Sequence, residues 1–192
     1  AARFLGEMGA KIVAVSDVSG GLYNPKGLDI PELLRRYREK QEPLSESKLG
    51  EPITNEDLLQ LDCTVLIPAA LSEQITGANA GKLRCRILAE GANGPTTLEA
   101  DRILTDKGIF IIPDILANSG GVIVSYFEWV QDVQRFFWKA KDIQDRLQDI
   151  ITSAFHRTLQ FSVQRRTTMR MAALMSGIDK VAQAHLQRGL YP

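Results

Sequence analysis

Four short apolar runs constrain the fold of this chain more than any other feature. They are KIVAVSD (11–17), CTVLIPA (63–69), RILAE (86–90) and IFIIPD (109–114). Each is bounded by turn residues, a pattern typical of strands that are buried on both faces of a parallel sheet. Helical patterns lie between the runs, and strands that alternate with helices predict a doubly wound α/β fold.

The pattern changes after the last of these runs. Residues 119–188 show no strand signal and almost no proline or glycine. Their apolar spacing predicts long amphipathic helices at about 120–139, 141–163 and 168–188. The predicted architecture is therefore a parallel sheet followed by long C-terminal helices.

We expect two domains, and we expect that Ala1 is not the natural N-terminus of the protein. Residues 1–118 are predicted to form the α/β domain, and residues 119–192 a helical segment that packs on it. The opening AARFLGEMGA reads as the second half of a helix. The first strand and its glycine-rich turn are therefore expected upstream of Ala1.

The charge balance restricts the classes of partner. Lysine plus arginine number 23, as do aspartate plus glutamate, so the formal net charge is zero. Nucleic acids and anionic membranes select a basic face, and neither is expected as a partner. The densest basic patch, QRRTTMR (164–170), is predicted to be a solvated corner between two helices. No apolar run approaches the ~18–20 residues of a membrane span.

The residues most often found in catalysis and metal binding offer no such site here. Cys63 and Cys85 lack metal-ligand spacing and lie in apolar contexts, which predicts buried free thiols in a reducing, cytoplasmic compartment. His156 and His185 lie in the helical part and are predicted to be surface or interface residues. We therefore predict neither a metal site nor a catalytic group within this sequence.

Asp17 ends the first apolar run. In a dinucleotide-binding βαβ unit, an acid at the end of the second strand hydrogen-bonds the adenosine ribose, about 20 residues after the glycine fingerprint. Counting back that far from Asp17 passes Ala1, which again places the fingerprint upstream. The alternative is an aspartate that caps a helix or forms a turn.

The later runs end in small, polar or proline residues. In doubly wound sheets, ligands bind outside the carboxyl ends of the strands. Small residues there let a ring approach the backbone, and asparagine supplies a donor and an acceptor together. The alternative is that Asn-Gly pairs simply make good turns. The strand-end candidates are Ala69, Ala70, Asn93 and Asn118, while Glu90 and Asp114 are either polar site residues or caps.

The stretch ILANSGGVIVSYFEW (115–129) places a polar segment before an apolar helix. Ser119 is predicted to cap this helix, and Val122 and Ser125 share one of its faces because they are three residues apart. One interpretation of Ser125 is a hydroxyl that bonds the Gly121 carbonyl. The other is a contact with a ligand.

Three segments together carry a family resemblance. PITNEDLLQLDCTVLIPAAL, LAEGANGPTT and NSGGVIVSYFEWVQ closely resemble the nucleotide-binding domain of glutamate dehydrogenases, in the wider Glu/Leu/Phe/Val dehydrogenase group. The resemblance covers essentially the whole chain. It implies a Rossmann-like fold, oxidation of L-glutamate to 2-oxoglutarate and ammonia, hydride transfer to NAD or NADP, and a homo-oligomer, a hexamer in this family.

The resemblance also implies roles for individual residues. It implies that residues 1–118 are a partial dinucleotide-binding (Rossmann) domain and that residues 119–192 pack on it and toward a substrate domain outside the chain. The catalytic lysine and aspartate are expected in that N-terminal substrate domain, so the chain alone is expected to be inactive. Within the chain, the implied cofactor contacts are Asp17, Ala69, Ala70, Gln74, Asn93 and Asn118, and the implied substrate contacts are Val122 and Ser125, whose hydroxyl would meet the side-chain carboxylate of glutamate.

Cofactor and substrate choice leave alternatives open. Asp17 repels a 2′-phosphate and the first following cation is Lys26, which favours NAD while NADP stays possible. Ser125 favours glutamate over an apolar substrate, because a buried unpaired hydroxyl costs about 1–3 kcal/mol. The alternatives are a leucine, phenylalanine or valine dehydrogenase and a non-catalytic nucleotide-binding regulatory module.

Overall fold

The computed structural model describes residues 1–189, apart from the side chain of residue 40, and divides into two compact units. The first unit contains Ala1–Thr64 and Lys82–Cys85. The second contains Val65–Gly81 and the chain from Arg86 onward.

The first unit combines a small antiparallel sheet with short helices. Its apolar core is formed by Leu22, Leu28, Ile30 and Leu33. The core side chains come from a strand, a loop and a helix, so no single segment of this unit is stable alone. In chain order its elements are α1 (Ala2–Glu7), β1 (Ala14–Asp17), β2 (Gly20–Tyr23), α2 (Ile30–Lys40), a 3-10 turn (Leu44–Glu46), β3 (Glu51–Ile53) and α3 (Asn55–Leu59).

The pairing of β1 differs from the prediction. The run 11–17 was expected in a parallel sheet, but β1 pairs antiparallel with β2, with Asp17 opposite Gly20, and β2 pairs antiparallel with β3. That part of the prediction is wrong, because the pattern of one run does not reveal its partner, and β2 begins with two glycines that are weak strand formers. Gly21 is required there, since a Cβ would lie 2.9 Å from Ile53 Cγ2 and 3.0 Å from the Ile53 carbonyl oxygen.

The second unit contains the predicted parallel sheet. Val65 pairs with Ile87 in parallel register, and Leu88 pairs with Ile111. The predicted α/β fold with a parallel sheet is therefore confirmed. The elements up to the end of this sheet are β4 (Val65–Leu66), α4 (Gly77–Ala80), β5 (Ile87–Ala89), α5 (Leu98–Asp106) and β6 (Phe110–Ile112).

Helices follow the sheet to the end of the described chain. They are α6 (Asp114–Ala117), α7 (Gly120–Gln134), α8 (Ala140–Arg165) and α9 (Met169–Arg188). The helix α7 ends five residues before the predicted boundary, because Arg135 adopts a left-handed conformation with φ of 54°. The backbone N–H of Trp138 then donates to Gln131 Oε1 at 2.6 Å, which fixes the turn into α8. Among the described helices, none is both long and apolar enough to cross a membrane.

Candidate functional site

A cavity of about 620 Å³ lies at the carboxyl edge of the β4–β5–β6 sheet. The loops that follow the three parallel strands meet there, because parallel strands end at the same edge of a sheet. Five of the eight residues predicted for the site line this one cavity: Ala69, Ala70, Asn93, Asn118 and Val122. The remaining lining residues are Gly91, Ala92, Ile115 and Ser119.

The polar feature of the cavity is a pair of asparagines. Asn118 Nδ2 donates to Asn93 Oδ1 at 2.7 Å, so the loops after β5 and β6 are linked side chain to side chain. Within the described residues, the side-chain N–H groups of Asn93 (Nδ2) and the side-chain oxygen of Asn118 (Oδ1) have no protein partner. The pair therefore presents donors and an acceptor together. If both side-chain amides are turned over, the two asparagines exchange these roles, and the pair still presents donors and an acceptor.

Small residues form the other wall of the cavity. The Ala92 N–H donates to the Pro68 carbonyl at 2.9 Å, which holds the loop after β4 against the loop after β5. A Cβ on Gly91 would lie 3.0 Å from the Cβ of Ala69, so the two loops are close-packed at this point. Ala69 and Ala70 are exposed at the surface. Their side chains are single methyl groups, which leave room for a planar ring on this side of the cavity.

A group of charged residues under these loops escaped prediction as a unit. Arg170, at the start of α9, contacts three carboxylates, and we name the four residues the Arg170 cluster. Its ion pairs are Arg170 Nη2 to Glu90 Oε1 at 2.6 Å, Arg170 Nε to Asp101 Oδ1 at 2.9 Å, and Arg170 Nη1 to Asp114 Oδ1 at 3.5 Å.

The Arg170 cluster is inside the protein. The Glu90 side chain is fully buried and 19% of the Arg170 side chain is exposed. Burial acts to lower the pKa of Arg170, but hydrogen bonds and the charges of Glu90 and Asp101 outweigh it and raise the pKa. The guanidinium therefore stays charged at every pH at which the protein is folded.

The position of Arg170 corrects one prediction. The patch 164–170 was expected to be a solvated corner, and Arg165 and Arg166 are indeed exposed. Arg170 is not, because its side chain turns inward to the carboxylates of Glu90, Asp101 and Asp114. Local charge density does not distinguish these arginines. The weak signal available was that Glu90 and Asp114 end apolar strands, where a buried acid needs a cation.

Three predicted site residues lie outside the cavity lining, and two of them, Gln74 and Ser125, belong to the second unit. The Gln74 amide donates to the Ser72 carbonyl at 3.0 Å, so it shapes its own loop. Ser125 is exposed on α7, and no hydrogen bond from its hydroxyl to the Gly121 carbonyl occurs in the described part of the chain. The predicted cap is also corrected: the Ser119 hydroxyl donates to the Leu116 carbonyl at 2.8 Å and makes no cap bond to α7.

Asp17 lies in the first unit, at the end of β1, beside a second cavity of about 480 Å³. Its Oδ1 accepts hydrogen bonds from the Ser19 N–H at 2.7 Å and the Ser19 hydroxyl at 2.6 Å. The side chain is exposed, and Oδ2 has no partner within the described residues. Asp17 is therefore both a turn former and an available acceptor. No Lys or Arg lines this cavity in the part of the chain that the structure describes.

The remaining reactive residue types form no site. His156 and His185 are exposed on α8 and α9, as predicted. Neither Cys63 nor Cys85 is part of a disulfide; Cys85 is buried and Cys63 is only partly so. Burial, followed by the charge of Asp62, raises the pKa of the Cys63 thiol. Among the residues described, no three His, Cys, Asp or Glu side chains cluster as metal ligands would.

Comparison with protein families gives a match over almost the whole chain. The family model for Glutamate/Leucine/Phenylalanine/Valine dehydrogenase matches residues 1–189. A glutamate dehydrogenase of Thermotoga maritima is 49% identical over 186 residues, which is 97% of this chain and 44% of that protein. A catabolic NAD-specific glutamate dehydrogenase of Bacillus subtilis is 45% identical over 190 residues, 98% of this chain and 44% of that protein.

Solved structures resemble the chain to the same extent. A hetero-hexameric glutamate dehydrogenase of Thermus thermophilus, in a leucine-bound form, matches with a TM-score of 0.89 and 30% identity, over 100% of this chain and 45% of that one. A glutamate dehydrogenase of Peptoniphilus asaccharolyticus matches with a TM-score of 0.81 and 32% identity, over 98% and 44%. The chain thus spans somewhat less than half the length of these relatives.

Proposed function

Because the chain belongs to the Glutamate/Leucine/Phenylalanine/Valine dehydrogenase family, we propose that it is the C-terminal, nucleotide-binding part of an NAD-dependent glutamate dehydrogenase. The whole enzyme oxidises L-glutamate to 2-oxoglutarate and ammonia. The observation that carries this proposal is the Asn93–Asn118 pair in a cavity at the carboxyl edge of a parallel sheet. The names of the relatives support it.

The residues of the cavity fit the nicotinamide end of NAD, which supplies a hydride acceptor when bound. A carboxamide needs one donor and one acceptor, and the Asn93–Asn118 pair has both free within the described residues. Ala69 and Ala70 leave room for the ring on one side of the cavity. These four residues bind and orient the ring, and the close-packed loops keep water from its protein-facing side.

Asp17 is proposed to accept hydrogen bonds from the adenosine ribose. Its unpartnered Oδ2 is available for a ribose hydroxyl, while Ser19 holds Oδ1. The carboxylate repels a 2′-phosphate, and the cavity beside it has no described cation to accept one. Both features support NAD over NADP.

The substrate side is proposed to involve the start of α7. Val122 lines the cavity, and Ser125 lies three residues later with an exposed, unbonded hydroxyl within the described chain. We assign that hydroxyl to the side-chain carboxylate of glutamate. Gln74 is proposed to lie in the loop beside the cofactor, which its side chain shapes by bonding the Ser72 carbonyl.

The groups that move protons are proposed to lie outside this chain. The lining residues of the cavity include no ionisable side chain among those described. The chain also spans about 44% of the relatives' length. We therefore propose that a substrate domain supplies the catalytic lysine and aspartate. We also propose that the domain boundary within this chain lies at residue 118.

A kinetic comparison tests the function. The full-length protein is expected to reduce NAD with L-glutamate, faster than with NADP and faster than with leucine, phenylalanine or valine. The 192-residue chain is expected to show no turnover. Preference for leucine contradicts the assignment of Ser125, and turnover by the 192-residue chain contradicts the placement of the catalytic groups.

Assembly and location remain predictions. The Thermus relative is hetero-hexameric by its description, and we propose a homo-oligomer, a hexamer, in the cytoplasm for the full-length protein. Mass photometry of the purified full-length protein tests the assembly, and a monomer contradicts it.

A further inference from the structure

We propose that Arg170 is a positioning residue for the coenzyme site, because it fixes the two loops that carry Asn93 and Asn118. This inference rests on the function proposed for the cavity. Arg170 does not line the cavity itself, so it acts through other residues.

Glu90 is the first link between Arg170 and the cavity. It directly follows β5, and its side chain is fully buried. Its Oε1 accepts from Arg170 Nη2 at 2.6 Å, and its Oε2 accepts from the Asp114 backbone N–H at 2.9 Å. A buried carboxylate is stable only with a cation and hydrogen-bond donors. Arg170 is therefore the cation that lets Glu90 join the end of β5 to the start of α6.

Asp114 is the second link. Its Oδ2 accepts from the Gly94 N–H at 2.9 Å, and Gly94 follows Asn93 in the chain with a left-handed φ of 53°. Its own carbonyl accepts from the Asn118 N–H at 2.9 Å. Asp114 thus bonds Asn118 directly and bonds the residue that follows Asn93, and its Oδ1 lies 3.5 Å from Arg170 Nη1.

Asp101 on α5 holds the guanidinium from a third side, with its Oδ1 2.9 Å from Arg170 Nε. The planar guanidinium reaches Glu90, Asp101 and Asp114 through three different nitrogens, a fixed fork that a lysine ammonium does not provide. The spacing of the Asn93–Asn118 pair therefore depends on an arginine.

The expected consequence is selective. Loosening the two loops weakens binding of NAD, whose proposed partners are Asn93 and Asn118. Glutamate is affected less, because Val122 and Ser125 are on α7 and have no described bond to the Arg170 cluster. If Arg170 contributes only to overall stability, its replacement lowers the amount of active enzyme and leaves the KM values for NAD and for glutamate unchanged.

Kinetics of the full-length enzyme test this. For Arg170→Met we expect the KM for NAD to rise about tenfold, the factor for one or two weakened hydrogen bonds to a ligand, and the KM for glutamate to change less than about twofold. Arg170→Lys is expected to show the same split with a smaller rise. Arg36→Met, which removes an α2 arginine whose carboxylate partners are Glu32 on α2 and Glu42 just after it, is the matched control and is expected to change neither KM.

An unchanged KM for NAD in folded Arg170 variants, or an equal change in Arg36→Met, overturns the proposal. If Arg170→Met does not fold, Glu90→Gln replaces it. That variant keeps an acceptor for the Asp114 N–H and removes the charge that Arg170 pairs with, and we expect the same split between the two KM values.

Crystal structures separate this inference from the proposed function. If the wild-type enzyme does not reduce NAD with glutamate, this result contradicts the proposed function and leaves the inference about Arg170 untouched. In Arg170→Lys, a separation of Asn118 Nδ2 from Asn93 Oδ1 beyond about 3.5 Å supports positioning. If this distance in the variant stays at the 2.7 Å of the wild-type protein, the positioning role is overturned.

Discussion

Two arginine–carboxylate clusters use the same chemical groups in opposite settings. In the Arg170 cluster, Arg170 bonds residues 69 and 80 positions away in the chain, and Glu90 is fully buried. In the second, which we name the Glu32 cluster, Glu32 bonds arginines three and four positions away on α2. The members of the Glu32 cluster are Glu32, Arg35, Arg36, Glu39 and Glu42, with side chains 20–61% exposed.

The difference shows that the distance between charges does not decide what an ion pair does. The Arg170–Glu90 and Arg36–Glu32 contacts are 2.6 and 2.8 Å long. Water can solvate Glu32 when an arginine is removed, whereas Glu90 is left charged in a medium of low dielectric. The buried cluster therefore holds separate chain segments in place, whereas the partly exposed Glu32 cluster supports α2 and the residues just after it.

Arg170→Met is expected to have the largest effect on stability. Removing one partner of a buried pair typically costs about 3–5 kcal/mol, and we expect at least about 2 kcal/mol because the Arg170 side chain retains some solvent access. Urea unfolding of the full-length protein followed by circular dichroism measures this. A midpoint equal to that of the wild type contradicts our account of the cluster.

Arg36→Met is expected to shift the urea midpoint by a small fraction of the Arg170→Met shift. Water and salt ions reach the Glu32 cluster, so we expect the residual shift to shrink above about 0.5 M NaCl. The Arg170→Met shift should persist at that salt concentration. Two shifts of equal size and equal salt dependence would remove the distinction between the clusters.

The titration of Glu32 is the smallest expected effect on stability. Hydrogen bonds from Arg35 and then Arg36 lower the pKa of Glu32 from 4.5 to about 2. A lowered pKa means that this contribution to stability is fully present above pH 4.5 and is lost as the pH falls toward 2. Carbon NMR of the Glu32 carboxyl measures the pKa. Arg35→Met with Arg36→Met should return it toward 4.5, and a pKa that does not move contradicts the assigned cause.

Much of the second unit was predictable from its sequence. The apolar runs at 63–69, 86–90 and 109–114 contain β4, β5 and β6, because continuous apolar runs suit strands covered on both faces. The strand ends led to Ala69, Ala70, Asn93 and Asn118, which the structure places around one cavity.

The first unit was less predictable for a physical reason. The run 11–17 has the local pattern of a buried strand, yet β1 pairs antiparallel with the glycine-led β2. Pairing depends on which segment reaches the strand edge, and period-two patterning carries no information about that. The prediction of Ser119 as a cap failed similarly, because its hydroxyl had a nearer partner in Leu116.

The sequence by itself determined what local chemistry and family motifs encode: the alternation of strands and helices, the asparagines and alanines at strand ends, and the family. Only the tertiary structure decided that Arg170 is turned inward onto Glu90, Asp101 and Asp114. The physical reason is that the energy of a charge depends on its surroundings. Those surroundings are assembled from segments up to 80 positions apart, so no local pattern around Arg170 could reveal them.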